Sequence, residues 1–315
     1  MLADNGANLT ITNTSVTTDG AHANGVFSYG ANTVLNISDS VITTTGNNSG
    51  GIMTTGGATT NATNLTVSTS GNSSAAIRTD RGGGDVNVVA GSYDTSGVGS
   101  PAIYSTADVS VSDATLSATN SEAVVIEGGN SVTLTNSNIS GNNAKLNGQS
   151  TIATNVLIYQ SMSGDAAEGN SDFTMNGGTL SAGTGSMFHV TNATTEITLE
   201  DVDLVYAADN DNLLIASADS WGTSGKNGGN VTMNLISQKA QGTIVVDSIS
   251  TLALNITSGS NYVGAIDNSG TASVTLSSDS TWTLTKDTYI NSFSGDYSNI
   301  TTNGYSLYVG GVKVL

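Results

Sequence analysis

The chain has 315 residues with 25 acidic and 7 basic side chains, a formal charge of −18, 38 glycines, a single proline and no cysteine. The missing cysteines exclude disulfides and zinc–thiolate centres. The scattered bases (Arg78, Arg81, Lys145, Lys226, Lys239, Lys286 and Lys313) form no stripe for nucleic acid, and a pI near 4.1 opposes anionic membrane surfaces.

The first predicted element is the triplet Leu9, Ile11, Val16, in which two apolar residues flank a polar one and a third follows five further on. The pattern returns at Val86, Val88, Tyr93, at Val109, Val111, Leu116 and at Val132, Leu134, Ile139, whose start points are evenly spaced. It recurs less evenly at Phe173, Met175, Leu180 and at Ile197, Leu199, Leu204. A fixed period of about 20 to 50 residues marks a stacked repeat, and a period of two within each unit marks a half-buried strand. Together they predict an all-β solenoid of about 11–13 coils at ~4.8 Å per coil. Pro101 is the lone residue unable to donate to an inter-strand ladder, and no apolar run reaches membrane-span length.

A second strand per coil is read from the apolar pairs Val26-Phe27, Ile52-Met53, Ile103-Tyr104, Val125-Ile126, Leu157-Ile158, Met187-Phe188, Leu214-Ile215 and Ile244-Val245, with Ile77-Arg78 in line with them. Neighbouring side chains point to opposite faces. With Arg78 outward, Phe27, Met53, Tyr104, Ile126, Ile158, Phe188, Ile215 and Val245 are expected as an exposed apolar stripe, a surface suited to self-association. Between the inward residues of the first strands lie Thr10, Asn36, Thr66, Asn87, Ser110, Thr133, Thr174, Thr198, Thr232, Ala253 and Thr275, a polar outer ladder. Its interruptions at Asn36, Asn87 and Ala253 weigh against a flat water-ordering surface of the ice-binding kind.

Two connections, 159–172 and 216–230, are longer than the rest and should leave the stack at one corner, the usual place for recognition on a rigid scaffold. Their candidate binding residues are Gln160, Asp165, Glu168, Trp221, Lys226 and Asn227. Trp221 offers either a flat ring for a sugar or a cover for a strand end. Asp209 and Asp211 are metal-ligand candidates, but the fixed glycine and distal acid of a calcium loop are missing, so the segment reads as a solvated acidic turn. Glu200, Asp201 and Asp203 have no arginine near them in sequence, and His22 and His189 lie coils apart, so no catalytic constellation is expected. Residues 280–315 hold Trp282, Tyr289, Phe293, Tyr297, Tyr305 and Tyr308 and read as a cap closing the body of residues 1–279.

From residue 150 onward the texture is more specific, in Gln160–Asp165, Trp221–Gly229, Gly242–Asp247, Ser280–Leu284 and Thr302–Val309. There the chain resembles right-handed parallel β-helix proteins, the architecture of pectate lyases and of autotransporter adhesin passengers, and more closely β-helix adhesin-like surface proteins of gut microbes. The resemblance implies a right-handed parallel β-helix, surface exposure and an adhesion-type role, with no catalytic residues to transfer. The expectation is therefore a non-enzymatic, cofactor-free segment of a larger secreted protein, at the cell surface, binding glycan or protein ligands. It has no nucleic-acid partner and does not insert into a membrane. A passive stalk or self-associating spacer is the alternative, and a polysaccharide lyase or hydrolase a more remote one.

Overall fold

The computed structural model describes all residues except 147 and 149. The regular structure is almost entirely strand, about 55% of the chain, and successive coils stack in parallel. Eleven coils each contribute one strand to a sheet that runs from Leu2–Ala3 through Val26–Tyr29, Ile52–Thr55 and Ile77–Thr79 to Ile266–Asn268, called sheet 1 below. A 16-stranded sheet, sheet 2, carries twelve strands in unbroken coil order from Asn8–Thr12 to Ser292–Ser294. This is the parallel β-helix solenoid that the repeat period predicts.

The odd offset in the sequence motif has a structural cause. Sheet 2 bends in each of ten coils beginning at a left-handed residue, Asn13, Asp39, Asn64, Ala90, Asp113, Asn136, Gly177, Asp201, Ser237 and Ser258, with φ between 47° and 66°. Seven of them are Asn, Asp or Gly, the types that tolerate this conformation best. The kink reverses which residues face inward, so Val88 is followed inward by Tyr93, an odd step that simple alternation forbids.

Another corner stacks as a polar column. Thr18, Thr44, Thr69 and Thr95 each donate Oγ1 to the carbonyl five residues on, of Ala23, Ser49, Ser74 and Ser100. The hydroxyls of Ser49, Ser74 and Ser100 donate to the carbonyls of Gly20, Gly46 and Gly71 in the preceding coil, at 3.0, 3.0 and 2.8 Å. These coils are thus joined by side chains as well as by backbone ladders.

The core is one column of apolar side chains. From sheet 1 it receives Val26, Ile52, Ile77, Ile103, Val124, Val156, Phe188, Leu214, Ile244 and Ile266, all fully buried. Phe188 meets Phe173 edge-on at 5.4 Å between ring centres. The expected stripe is therefore corrected at three positions. The outward row is Leu2, Phe27, Met53, Arg78, Tyr104, Val125, Leu157, His189, Ile215, Val245 and Asp267, whereas Ile126, Ile158 and Phe188 point into the core. Val124–Ile126 and Val156–Ile158 are runs of three apolar residues without alternation, so pairing by apolarity alone slips by one. Met53, although it faces outward, is buried, and Phe27 and Tyr104 are half-buried.

The polar ladder is also re-registered. Its rungs are Thr10, Asn36, Asn61, Asn87, Ser110, Thr133, Thr174, Thr198, Asn234, Asn255, Thr275 and Ser294, so Thr66, Thr232 and Ala253 belong to other rows. Asn61 donates to Asn36 at 2.9 Å and Asn87 to Asn61 at 3.0 Å, forming an amide chain along the axis.

Parallel pairing continues past residue 280, where Thr281–Thr283 pair with Asn261–Val263 and Ser292–Ser294 with Ser273–Thr275. Trp282 is fully buried, stacks on Tyr262 and donates its indole N–H to the Gly264 carbonyl at 3.0 Å. The turn-back comes at the end, where Val312–Lys313 pair antiparallel with Leu307–Val309.

Candidate functional site

Val125 and Leu157 face outward from sheet 1 yet are only 5% and 4% exposed. The two long connections fold over them. Tyr159 ends the strand Thr154–Tyr159, and its ring meets Trp221 with centres 4.6 Å apart and planes tilted by 50°. Together with Tyr104 these side chains pack as a small apolar cluster on the outside of the solenoid.

The first connection is pinned by a buried acid. The Glu127 carboxylate is 1% exposed and accepts from the hydroxyls of Tyr104, Tyr159 (2.9 Å), Ser161 and Ser163 (3.3 Å). Burial holds the Tyr104 and Tyr159 phenols far above their ordinary pKa, so both stay neutral donors. Further along, Asp165 accepts from the Arg81 guanidinium, which keeps its carboxyl below the usual aspartate range. That ion pair joins groups 84 residues apart in the chain.

The second connection is tied from below. Asn227 is 4% exposed and donates Nδ2 to the carbonyls of Asp219 and Trp221, both at 2.8 Å. Its role is to shape the loop, and its burial corrects the expectation that it faces a ligand. Asp219 accepts from the Thr151 N–H and hydroxyl at 3.1 and 2.7 Å. Asn192 links the two connections, its side chain donating to the Gln160 carbonyl at 2.7 Å and its backbone N–H to the Asn227 carbonyl at 3.0 Å.

Two clefts result. One, of about 450 Å³, is lined by Tyr104, Glu127, Tyr159, Ser161, Ser163, Asp165 and Trp221 among others. Its neighbour, of about 460 Å³, is lined by Gln160, Glu168, Asn192, Thr223, Lys226 and Asn230 among others. The two insertions do meet at one corner, but the expected residues divide between the clefts, with Asp165 and Trp221 in the first and Gln160, Glu168 and Lys226 in the second. Trp221 is half-buried, packs on Tyr159 and lines the first cleft.

Sequence reasoning missed Tyr104, Glu127, Tyr159 and Arg81 as parts of this site. The available signal was a lone glutamate closing the apolar strand Val124–Glu127, level with the tyrosine closing the next strand. Elsewhere, Asp209 and Asp211 are exposed, and among the described residues no three His, Cys, Asp or Glu side chains converge on a metal position. His189 is fully buried with Nε2 3.3 Å from the Ser217 hydroxyl, and burial lowers its pKa to about 4. Comparisons of the chain with protein-family models, with curated proteins and with solved structures find no match.

Proposed function

We propose that this chain is a non-enzymatic, adhesin-like binding segment of a bacterial surface protein, and that its ligand is a glycan held in the cleft between the two long connections. One observation carries the reading: Tyr104, Tyr159 and Trp221 line an open cleft of about 450 Å³ together with the hydroxyls of Ser161, Ser163 and Ser220, the carboxylates of Glu127 and Asp165, and Met162 and Gly222. Aromatic rings offer flat apolar area to the faces of sugar rings, while polar groups around them fix orientation. The stacked scaffold supports the same reading, because a site built on a rigid frame loses little conformational freedom on binding.

The acids support binding rather than bond cleavage. Glu127 is saturated by hydroxyl donors and Asp165 is engaged by Arg81, so neither resembles a carboxyl poised beside a scissile bond. Export to a cell surface is supported by composition, since 10% charged residues and no cysteine are unusual for a cytosolic chain.

A glycan array followed by calorimetry on the hits tests the proposal. Binding is expected in the parent and should fall at least tenfold in Trp221→Ala, with circular dichroism unchanged. An array without hits, or full affinity in Trp221→Ala, overturns it. The passive-stalk reading is favoured by a different observation, the twelve-strand ladder that runs unbroken along the body, and it predicts the blank array.

A further inference from the structure

The first cleft carries charge of one sign. Its ionisable lining includes Glu127 and Asp165, and no lysine or arginine lines it. The cations that meet it come from outside: Arg81 reaches from another coil so that its Nε–H donates to Asp165 Oδ1, and Arg78 lines an adjoining pocket with Asp165 and Tyr104 without bonding to the carboxylate. The Arg81 side chain is 73% exposed and that of Asp165 29%. Such an exposed ion pair is weak and exchangeable, so the guanidinium marks where a cation can be held and given up.

Three further features favour a cation there. Rings of Tyr104, Tyr159 and Trp221 line the same space, and an ammonium within about 6 Å of an aromatic face is attracted by the ring quadrupole. A cleft with acidic, low-dielectric walls concentrates its own field. The chain as a whole carries −18, which repels uronate or sialate polymers at every approach.

We infer that the cleft selects an amine-bearing saccharide, a sugar whose free, protonated amino group replaces Arg81 on Asp165 while its ring lies against Trp221. The inference rests on the glycan reading above and narrows it to one ligand class. Acetylation of the amine removes the charge and leaves a single neutral N–H in place of three charged donors to Asp165, and an acidic sugar meets like charge.

The test uses the fluorescence of Trp221, which can be followed because the other tryptophan, Trp282, is fully buried in the core. The parent is titrated at pH 6 with a β-linked glucosamine tetrasaccharide, with its fully N-acetylated counterpart and with a tetragalacturonate. The amine form should bind at least tenfold tighter than the acetylated form, the uronate should not bind, and added salt should weaken the amine form. Asp165→Asn should erase the preference, although it changes the overall charge by only one unit. Arg81→Ala should tighten amine binding several-fold by removing the internal competitor, an effect that a merely structural Arg81 would not produce. Equal binding of the amine and acetylated forms overturns the selectivity while leaving the glycan reading intact. Amine binding that is indifferent to Asp165→Asn reflects bulk charge and also overturns it, as does tighter binding of the uronate or no binding of the amine form.

Discussion

The side-chain amide of Gln238 stands in for a peptide group opposite Val202. Its Oε1 accepts from the Val202 N–H at 2.8 Å and its Nε2 donates to the Val202 carbonyl at 2.7 Å. The bridge lies where a ladder breaks: Asp203–Val205 pair only with the coil before, and Lys239–Gln241 only with the coil after. A groove of about 530 Å³ opens at this seam, and the Tyr206 hydroxyl accepts the Gln241 N–H at 3.0 Å. Side chains therefore satisfy backbone groups that the neighbouring strand satisfies elsewhere.

Gln238→Leu tests that bridge. Gln238 is 1% exposed and Val202 5%, so the leucine would leave the Val202 N–H and carbonyl unpaired at a buried position beneath the groove. Each such group costs about 1–3 kcal/mol. The expected loss is about 2–6 kcal/mol, read as a lower urea midpoint with little change in slope. A midpoint equal to the parent's would show that the seam is held by Tyr206 and packing alone.

The regular ladder makes a different prediction. Val111 is 2% exposed and sits in register between Val88 and Leu134, so Val111→Asp would bury a carboxylate with no partner. The cost should reach several kcal/mol (about 3–5), enough to unfold neighbouring coils. Circular dichroism during heating gives the answer, and a variant as heat-stable as the parent would contradict the inward placement.

How much of this was legible in the sequence depends on how each feature is encoded. Alternating apolar residues encode the strands, so the solenoid and most of its inward residues could be read directly. Arg78 fixed the outward row in the early coils because a charged residue within an apolar pair names the exposed side. The same row failed at Val125, Leu157 and His189, where apolar runs or a covered histidine hide the alternation. Convergence of the two insertions was readable from their position in the repeat. The Tyr104–Glu127–Tyr159 pin was not, because its members lie 23 and 32 residues apart and are joined by register between coils rather than by any local motif.

His189 makes stability depend on pH. Burial lowers its pKa to about 4 in the folded chain, against about 6.5 when unfolded. The unfolded state therefore binds a proton between these values while the folded state does not, so stability is full above about pH 6.5 and is lost as pH falls towards 4. The loss should approach about 3 kcal/mol at 1.36 kcal/mol per unit. Glu122 has the opposite slope, since burial raises its carboxyl pKa and the folded state gains relative stability as acid protonates it. Comparing the parent with His189→Asn at pH 7 and pH 4.5 isolates the histidine. Guanidinium midpoints should separate less between the two pH values in the variant, and identical pH responses would remove His189 as the cause.

Gly71 tests the polar column. A Cβ built on Gly71 would lie 1.9 Å from the Gly46 carbonyl oxygen, and one on Gly97 would lie 1.8 Å from that of Gly71, so each glycine is required by the coil before it. The clash is with backbone, which cannot swing away as a side-chain tip can. Gly20 belongs to the same column, and the nearest neighbour of a Cβ there would be the Ala23 Cβ at 3.5 Å, an ordinary contact. Gly71→Ala should therefore cost about 1–3 kcal/mol or more by forcing coils apart, as overpacking of a close-packed interior does. Gly20→Ala should be neutral to slightly stabilising, because alanine restricts the unfolded chain more than glycine does. Thermal midpoints of the two variants measured side by side decide the matter. Equal midpoints would mean that the column adjusts without strain and that these glycines are not needed for close stacking.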